Sequence, residues 1–228
     1  MSLFVIGDLH LSFGCDKPMD VFGGRWENYI EKLMEGFSVV KPEDTTVLCG
    51  DLTWGMDFAE AREDFLFVHR LPGKKIIMKG NHDYWWTTAS QAYRFFKENG
   101  IDSIEILNNN CLFYGETALC GTRGWFPGES ETAEQDRKML ARELQRMETS
   151  LKAAGAREKL AFLHYPPKTL NYEWTEMTTL LAQYGVKKCF YGHLHSLGCM
   201  RAFEGEVRGI RFQLISADHL LFYPQKIL

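Results

Sequence analysis

Five short polar blocks, each following closely on an apolar run, constrain this chain more than any other feature. They are Asp8-Leu9-His10, Gly50-Asp51, Gly80-Asn81-His82-Asp83, His164, and Gly192-His193-Leu194-His195. The apolar runs ahead of them cover residues 3–6, 46–48, 75–78, 160–163 and 188–191. Runs this short, bounded by Gly, Asp and Asn, read as buried strands rather than helices. In an open α/β sheet, ligands bind in the crevice beyond the carboxyl ends of the strands. Five strands ending in imidazole, carboxylate or carboxamide groups are therefore expected to converge on one polar cluster. Five of the seven histidines lie in these blocks. Mixed nitrogen and oxygen donors suit divalent Mn, Fe, Zn, Ni or Co, and the chemistry that follows is that of a metal-dependent hydrolase.

The order of elements supports an α/β fold. Residues 26–40 carry Trp26, Tyr29, Ile30, Leu33 and Phe37 at helical spacing, and residues 57–71 carry Phe58, Phe65, Leu66 and Val68, with Asp57 as a plausible N-cap. Residues 87–99 repeat the pattern and stop at Gly100. The first hundred residues thus alternate strand and helix, the signature of a largely parallel sheet. Beyond them, residues 104–107, 111–114 and 118–120 read as a meander of antiparallel strands. Residues 131–154 form one amphipathic helix, and residues 201–220 read as β-structure closing a second sheet. No repeat, low-complexity tract or linker interrupts residues 1–228, so a single domain is expected.

Charge narrows the partners. The formal net charge is −4, which supplies no global attraction for a polyanion, so nucleic acid is disfavoured and an anionic substrate would be drawn by metal ions. The first strand leaves little room for a secretory leader ahead of Asp8, and no apolar run approaches the roughly 20 residues that span a bilayer. A cytoplasmic protein is expected. The six cysteines show no C-x-x-C spacing and are read as free thiols, with Cys49, Cys120 and Cys189 in buried strand-like runs. Lys74, Lys75 and Lys79 flank one strand and are read as solvated charge.

In identity and order, the five blocks resemble those of the calcineurin-like metallophosphoesterases, whose pattern runs D-x-H, GD, GNH(D/E), a lone His and GHxH. The phrase from Leu71-Pro72-Gly73 to Asn81-His82-Asp83-Tyr84-Trp85-Trp86 is most similar to a bacterial branch of predicted phosphohydrolases. The resemblance implies a sandwich of two mixed β-sheets flanked by α-helices, with two divalent ions in its site. It implies that Asp8, His10, Asp51 and His195 hold one ion, and that Asp51, Asn81, His164 and His193 hold the other. A hydroxide bridging the ions is the implied nucleophile. His82 is implied as general acid or transition-state stabiliser rather than as a ligand. In the family's protein-phosphatase branch the second block reads GDxxDR, and its second Asp orients the catalytic histidine. Trp54 stands at that position here, which argues against a protein phosphatase and leaves Asp57 and Asp83 as candidates to orient His82.

Two further residues are candidates for substrate contact. Arg123, between Gly121 and Gly124, could fork onto a phosphoryl oxygen, or could pair with a surface Glu. Trp85, after the GNHD turn, could stack a flat leaving group, although aromatic residues at a strand–helix junction more often cap the core. The expected substrate is a small phosphate mono- or diester. A nuclease, or a non-catalytic scaffold that binds metal, are the rival readings.

Overall fold

Two β-sheets carry the strand-end blocks, and each belongs to its own unit of the chain. In the computed structural model, which describes residues 1–228, one unit comprises residues 1–106 and 215–228 and the other residues 107–214.

The first unit is the expected alternation. Strands β1 (Leu3–Ile6), β2 (Thr45–Leu48), β3 (Lys74–Ile77) and β4 (Ile104–Ile106) run parallel, with helices α1 (Tyr29–Phe37), α2 (Arg62–Arg70) and α3 (Ala89–Glu98) as the crossovers. Every residue of β1 and β2 is buried, as apolar strands covered on both faces must be. The core gathers Ile6, Leu48 and Ile77 from the strands with Leu33, Phe37, Phe65 and Phe96 from the helices.

Helix limits are tighter than the periodicity of the sequence. Asn28 takes a left-handed φ of 52° with its N–H bonded to Asp20 Oδ1, so α1 starts only at Tyr29. Asp57 caps a preceding turn, accepting from Ala59 N and Glu60 N, and α2 begins five residues later. Thr88 caps α3, its hydroxyl accepting from Gln91 N, so this helix starts at Ala89.

The second unit holds β5 (Cys111–Tyr114), β6 (Thr117–Thr122), β7 (Glu158–Leu163), β8 (Lys188–Tyr191), β9 (Gly205–Val207) and β10 (Ile210–Leu214), in the spatial order β5-β6-β7-β8-β10-β9. The four central strands are parallel, and a hairpin closes each edge. Helix α4 (Ala133–Ala153) opens on a reciprocal Thr132–Gln135 capping box, and α5 (Thr175–Gln183) precedes β8. Met147, Leu151, Met177 and Leu181 pack with Ala161, Leu163, Cys189 and Leu214 in its core.

Four sequence expectations need correction. The proposed three-strand meander does not form: β4 pairs in parallel with β3 in the first sheet, and only β5 and β6 make a hairpin. Residues 215–220 do not extend the second sheet. The chain leaves β10 at Leu214, Ile215 O accepts from Gly7 N, and a last strand, β11 (Gln225–Lys226), pairs antiparallel with β1. Lys75 is not solvated but fully buried, its ammonium donating to Leu71 O and Gly73 O at 2.6 Å each and to His69 O at 3.2 Å. A cation at the carboxyl end of α2 is favoured by the helix dipole, while burial lowers the Lys75 pKa to about 8. The last correction, to Trp85, belongs to the site. All six cysteines are free, and Cys49, Cys120 and Cys189 are buried as expected. No helix is long and apolar enough to cross a membrane.

Candidate metal centre

Just past the ends of β1 and β2, the chain continues the ladder in a form ordinary strands do not use. Asp8 N donates to Gly50 O, His10 N to Asp51 O and Leu11 N to Leu52 O, at 2.9, 3.0 and 3.0 Å. Asp8, His10 and Asp51 all take left-handed backbone, with φ of 59°, 48° and 49°. Such residues cost roughly 1–3 kcal/mol each and persist only where the surroundings enforce them, often at functional sites. Here the left-handed turns present three buried donors whose ligand atoms lie within 4.8 Å of one another.

The turn after β3 is locked to the same place. Asp83, wholly buried, accepts from Asp51 N at 2.9 Å, Leu52 N at 3.0 Å and Gly80 N at 2.6 Å, and from the indole N–H of Trp85 at 2.9 Å. In return, Asp51 Oδ1 accepts from His82 N at 2.8 Å. Gly80 is required by this close approach. A Cβ there would meet Asp51 Oδ1 at 2.0 Å and Asp51 N at 2.3 Å.

Aromatic rings fill the remaining space. The indole of Trp54 stacks on the His10 imidazole, centroids 4.9 Å apart at 24°, and lies 4.4 Å from the His82 ring. His10 and His82 are 5.7 Å apart. His82 Nδ1 lies 3.1 Å from the Tyr84 hydroxyl. Behind them, Asp64 accepts from Phe13 N at 2.7 Å and from the Thr53 hydroxyl, tying together the loops that follow β1 and β2.

In the second unit the other three histidines sit at corresponding strand ends. His164 is buried after β7, and its N–H, like that of Tyr165, donates to Arg123 O, at 3.1 and 2.9 Å. His193, with a left-handed φ of 72°, lies 5.3 Å from the His164 ring and 4.4 Å from Tyr165. Gly192 N donates to His164 O at 3.0 Å, and His195 follows two residues after His193 on the same turn. The Arg123 guanidinium is largely desolvated, which pushes its pKa down, and it lies 4.9 Å from the Trp125 ring centroid rather than against a carboxylate. The nearby Glu143 is taken up by Thr122, Gly124 N and Arg146.

The family model for calcineurin-like phosphoesterases matches residues 1–197. The chain belongs to that family. Solved structures share the fold at low identity. A protein of unknown function from Aquifex aeolicus is 17% identical with a TM-score of 0.52, over 99% of this chain and 95% of that one. A second structure is 12% identical with a TM-score of 0.53, over 92% and 88%. No curated protein matches the chain.

Calcineurin-like phosphoesterases are generally hydrolytic and usually hold a dinuclear metal site, and the donors of the first unit fit such ions. Asp8, His10 and Asp51 are buried, mix carboxylate and imidazole, and converge, and the missing side chain of Gly80 leaves room for the Asp51 carboxylate. Trp85 is corrected here. It is 1% exposed, packed edge-on to Phe65 and beside Phe58, with its N–H spent on Asp83. It caps the core and presents no face to a substrate. Asp83 braces two turns through their backbone N–H groups. Trp54, visible in the sequence as a departure from the GDxxDR pattern, is the tryptophan that packs on both His10 and His82. Tyr84 stands in the aromatic cluster after the GNHD turn, but its bond to His82 is not legible there, and Asp64 carried no signal because only folding brings it to Thr53.

Proposed function

We propose that this chain is a two-metal phosphohydrolase acting on small phosphate esters. The observation that carries the proposal is the trio Asp8, His10 and Asp51, buried with converging donors on three left-handed residues. In this reading Asp51 would serve two ions, with Asp8, His10 and His195 as further ligands for one and Asn81, His164 and His193 for the other. Ions held there would supply a nucleophilic water at neutral pH and neutralise charge on the phosphoryl oxygens.

The chain's own residues do the rest. Asp83 positions the Asp51 and His82 turns through backbone bonds. His82, held by its N–H on Asp51 and by Tyr84 at Nδ1, directs Nε2 to the leaving oxygen and gives it a proton. Arg123, desolvated and stacked on Trp125, takes a non-bridging phosphoryl oxygen. A net charge of −4 favours a small ester over a nucleic acid.

Purified protein loaded in turn with Mn, Fe, Zn, Ni and Mg tests this against a panel of phosphate mono- and diesters. The expected result is metal-dependent phosphate release that chelation reverses and Asp51→Asn abolishes. Release that survives chelation overturns the reading.

A further inference from the structure

Beside the proposed chemistry lies a cavity of about 460 Å³ that the reaction as described does not use. Its walls come from the segment after the first strand-end turn and from the loop after β2. Pro18, Met19, Val21, Phe22 and Trp54 are its apolar part, and Asp16 and Lys17 are its polar part. The volume is in the range of small-ligand sites, and the mix of apolar wall with few charged groups is typical of them.

Trp54 joins this cavity to the candidate centre. One indole lines the cavity, stacks on His10 and approaches His82 at 4.4 Å. The ring is held in place: its N–H donates to Met19 Sδ at 3.3 Å, and Lys17 Nζ lies 5.5 Å from its centroid. Val21 and Phe22, next to each other on a short 3-10 turn, are 74% and 68% exposed. Each alone would be unremarkable, but both stand on the wall of the same cavity.

The position of His82 gives that cavity a role. A general acid touches the leaving oxygen, so whatever that oxygen carries extends past His82, and of the rings packed on His82 it is Trp54 that continues into the cavity. We propose that the cavity is the leaving-group subsite, and that it selects phosphate esters of flat, apolar alcohols of the aryl or benzylic class. A polyol or sugar would set hydroxyls against apolar side chains that cannot hydrogen-bond them, losing their bonds to water. The inference rests on the phosphohydrolase reading above.

The test compares benzyl phosphate with glycerol 1-phosphate on the metal-loaded full chain. Both release a primary alcohol, so their chemical reactivity is close and their difference reports the subsite. The expected preference for benzyl phosphate is about tenfold in kcat/KM, the scale of partly burying one ring. Phe22→Ser and, separately, Val21→Ser should pull the ratio toward one, chiefly through the KM of benzyl phosphate. Both side chains are largely exposed, so neither change threatens the fold. Equal kcat/KM for the two esters, or a ratio that both variants leave untouched, overturns the subsite while the phosphohydrolase reading stands. Turnover of neither ester by metal-loaded protein that does hydrolyse other esters of the panel likewise overturns the subsite alone; the phosphohydrolase reading falls with it only if no ester of the panel is hydrolysed.

Discussion

Asp51 and Asp83 clasp two strand-end turns in opposite directions. The Asp83 carboxylate accepts the N–H of Asp51 at 2.9 Å, and the Asp51 carboxylate accepts the N–H of His82, the residue before Asp83, at 2.8 Å. Each carboxylate thereby fixes the backbone that carries the other. A single buried acid cannot do this alone, because a left-handed turn such as that at Asp51 relaxes unless its neighbours hold it. The clasp also separates roles that one residue could not combine: Asp51 faces the proposed ions, and Asp83 spends its oxygens on N–H groups.

Asp83→Asn tests the clasp. The amide keeps one acceptor but turns an NH2 toward backbone donors that need one, leaving buried N–H groups without partners. Stability should fall by about 2–4 kcal/mol, the scale for breaking a buried charge-assisted network. Metal content after equilibration with a fixed Mn concentration should fall with it. Urea unfolding and emission spectroscopy report the two. A loss under about 0.5 kcal/mol, the usual scale of surface changes, would show that Asp83 braces nothing.

The sequence displays the donors of this centre because chemistry-bearing residues at strand ends stand out against apolar runs. It does not display their backbone. Asp, Asn and His tolerate left-handed φ better than most residues, yet nothing in the letters of Asp8, His10 and Asp51 distinguishes that state from an ordinary turn. Sheet membership was harder still. The apolar run of β4 suits either sheet, and only its long-range pairing with Lys75–Ile77 decides. Aromatic roles were open for the same reason. Trp54 and Trp85 are the same residue type, and tertiary packing sends one to the site histidines and the other into the core. Lys75 shows how helix termini escape sequence reading, since its three carbonyl partners, at His69, Leu71 and Gly73, are turned onto one ammonium by the bend between α2 and β3.

Metal binding and proton delivery separate in a pair of variants. Asp51→Asn weakens the charge proposed to be shared by two dications and should lower metal content together with activity. His82→Ala removes no proposed ligand, so it should leave metal content unchanged and slow turnover, by roughly 10²–10⁴-fold on an ester with a poor leaving group. A nitrophenyl ester, whose leaving oxygen needs little protonation, should suffer far less. Emission spectroscopy alongside rates on both esters decides. Equal slowing of the two would instead favour stabilisation of transition-state charge, and loss of metal equal to that of Asp51→Asn would make His82 part of the metal site.

Asp64 predicts how stability responds to pH. Fully buried under the loops after β1 and β2, its carboxyl has its pKa raised from 3.8 to about 6, chiefly by desolvation, against the opposing bonds from Thr53 and Phe13 N. A carboxyl with a raised folded pKa holds its proton more tightly folded than unfolded. Its contribution is therefore fully present below pH 3.8 and is lost as pH rises through 6. Asp64→Asn cannot titrate and should remove this slope, while its carboxamide still accepts from Phe13 N. The stability of the unsubstituted chain minus that of Asp64→Asn should thus decline between about pH 4 and 7, by no more than about 3 kcal/mol. Urea midpoints at intervals across that range, with chelator present so that metal binding does not contribute, measure it. A difference that is flat or rises with pH would place a charged Asp64 in the folded chain, stabilised by more than the two donors seen around it.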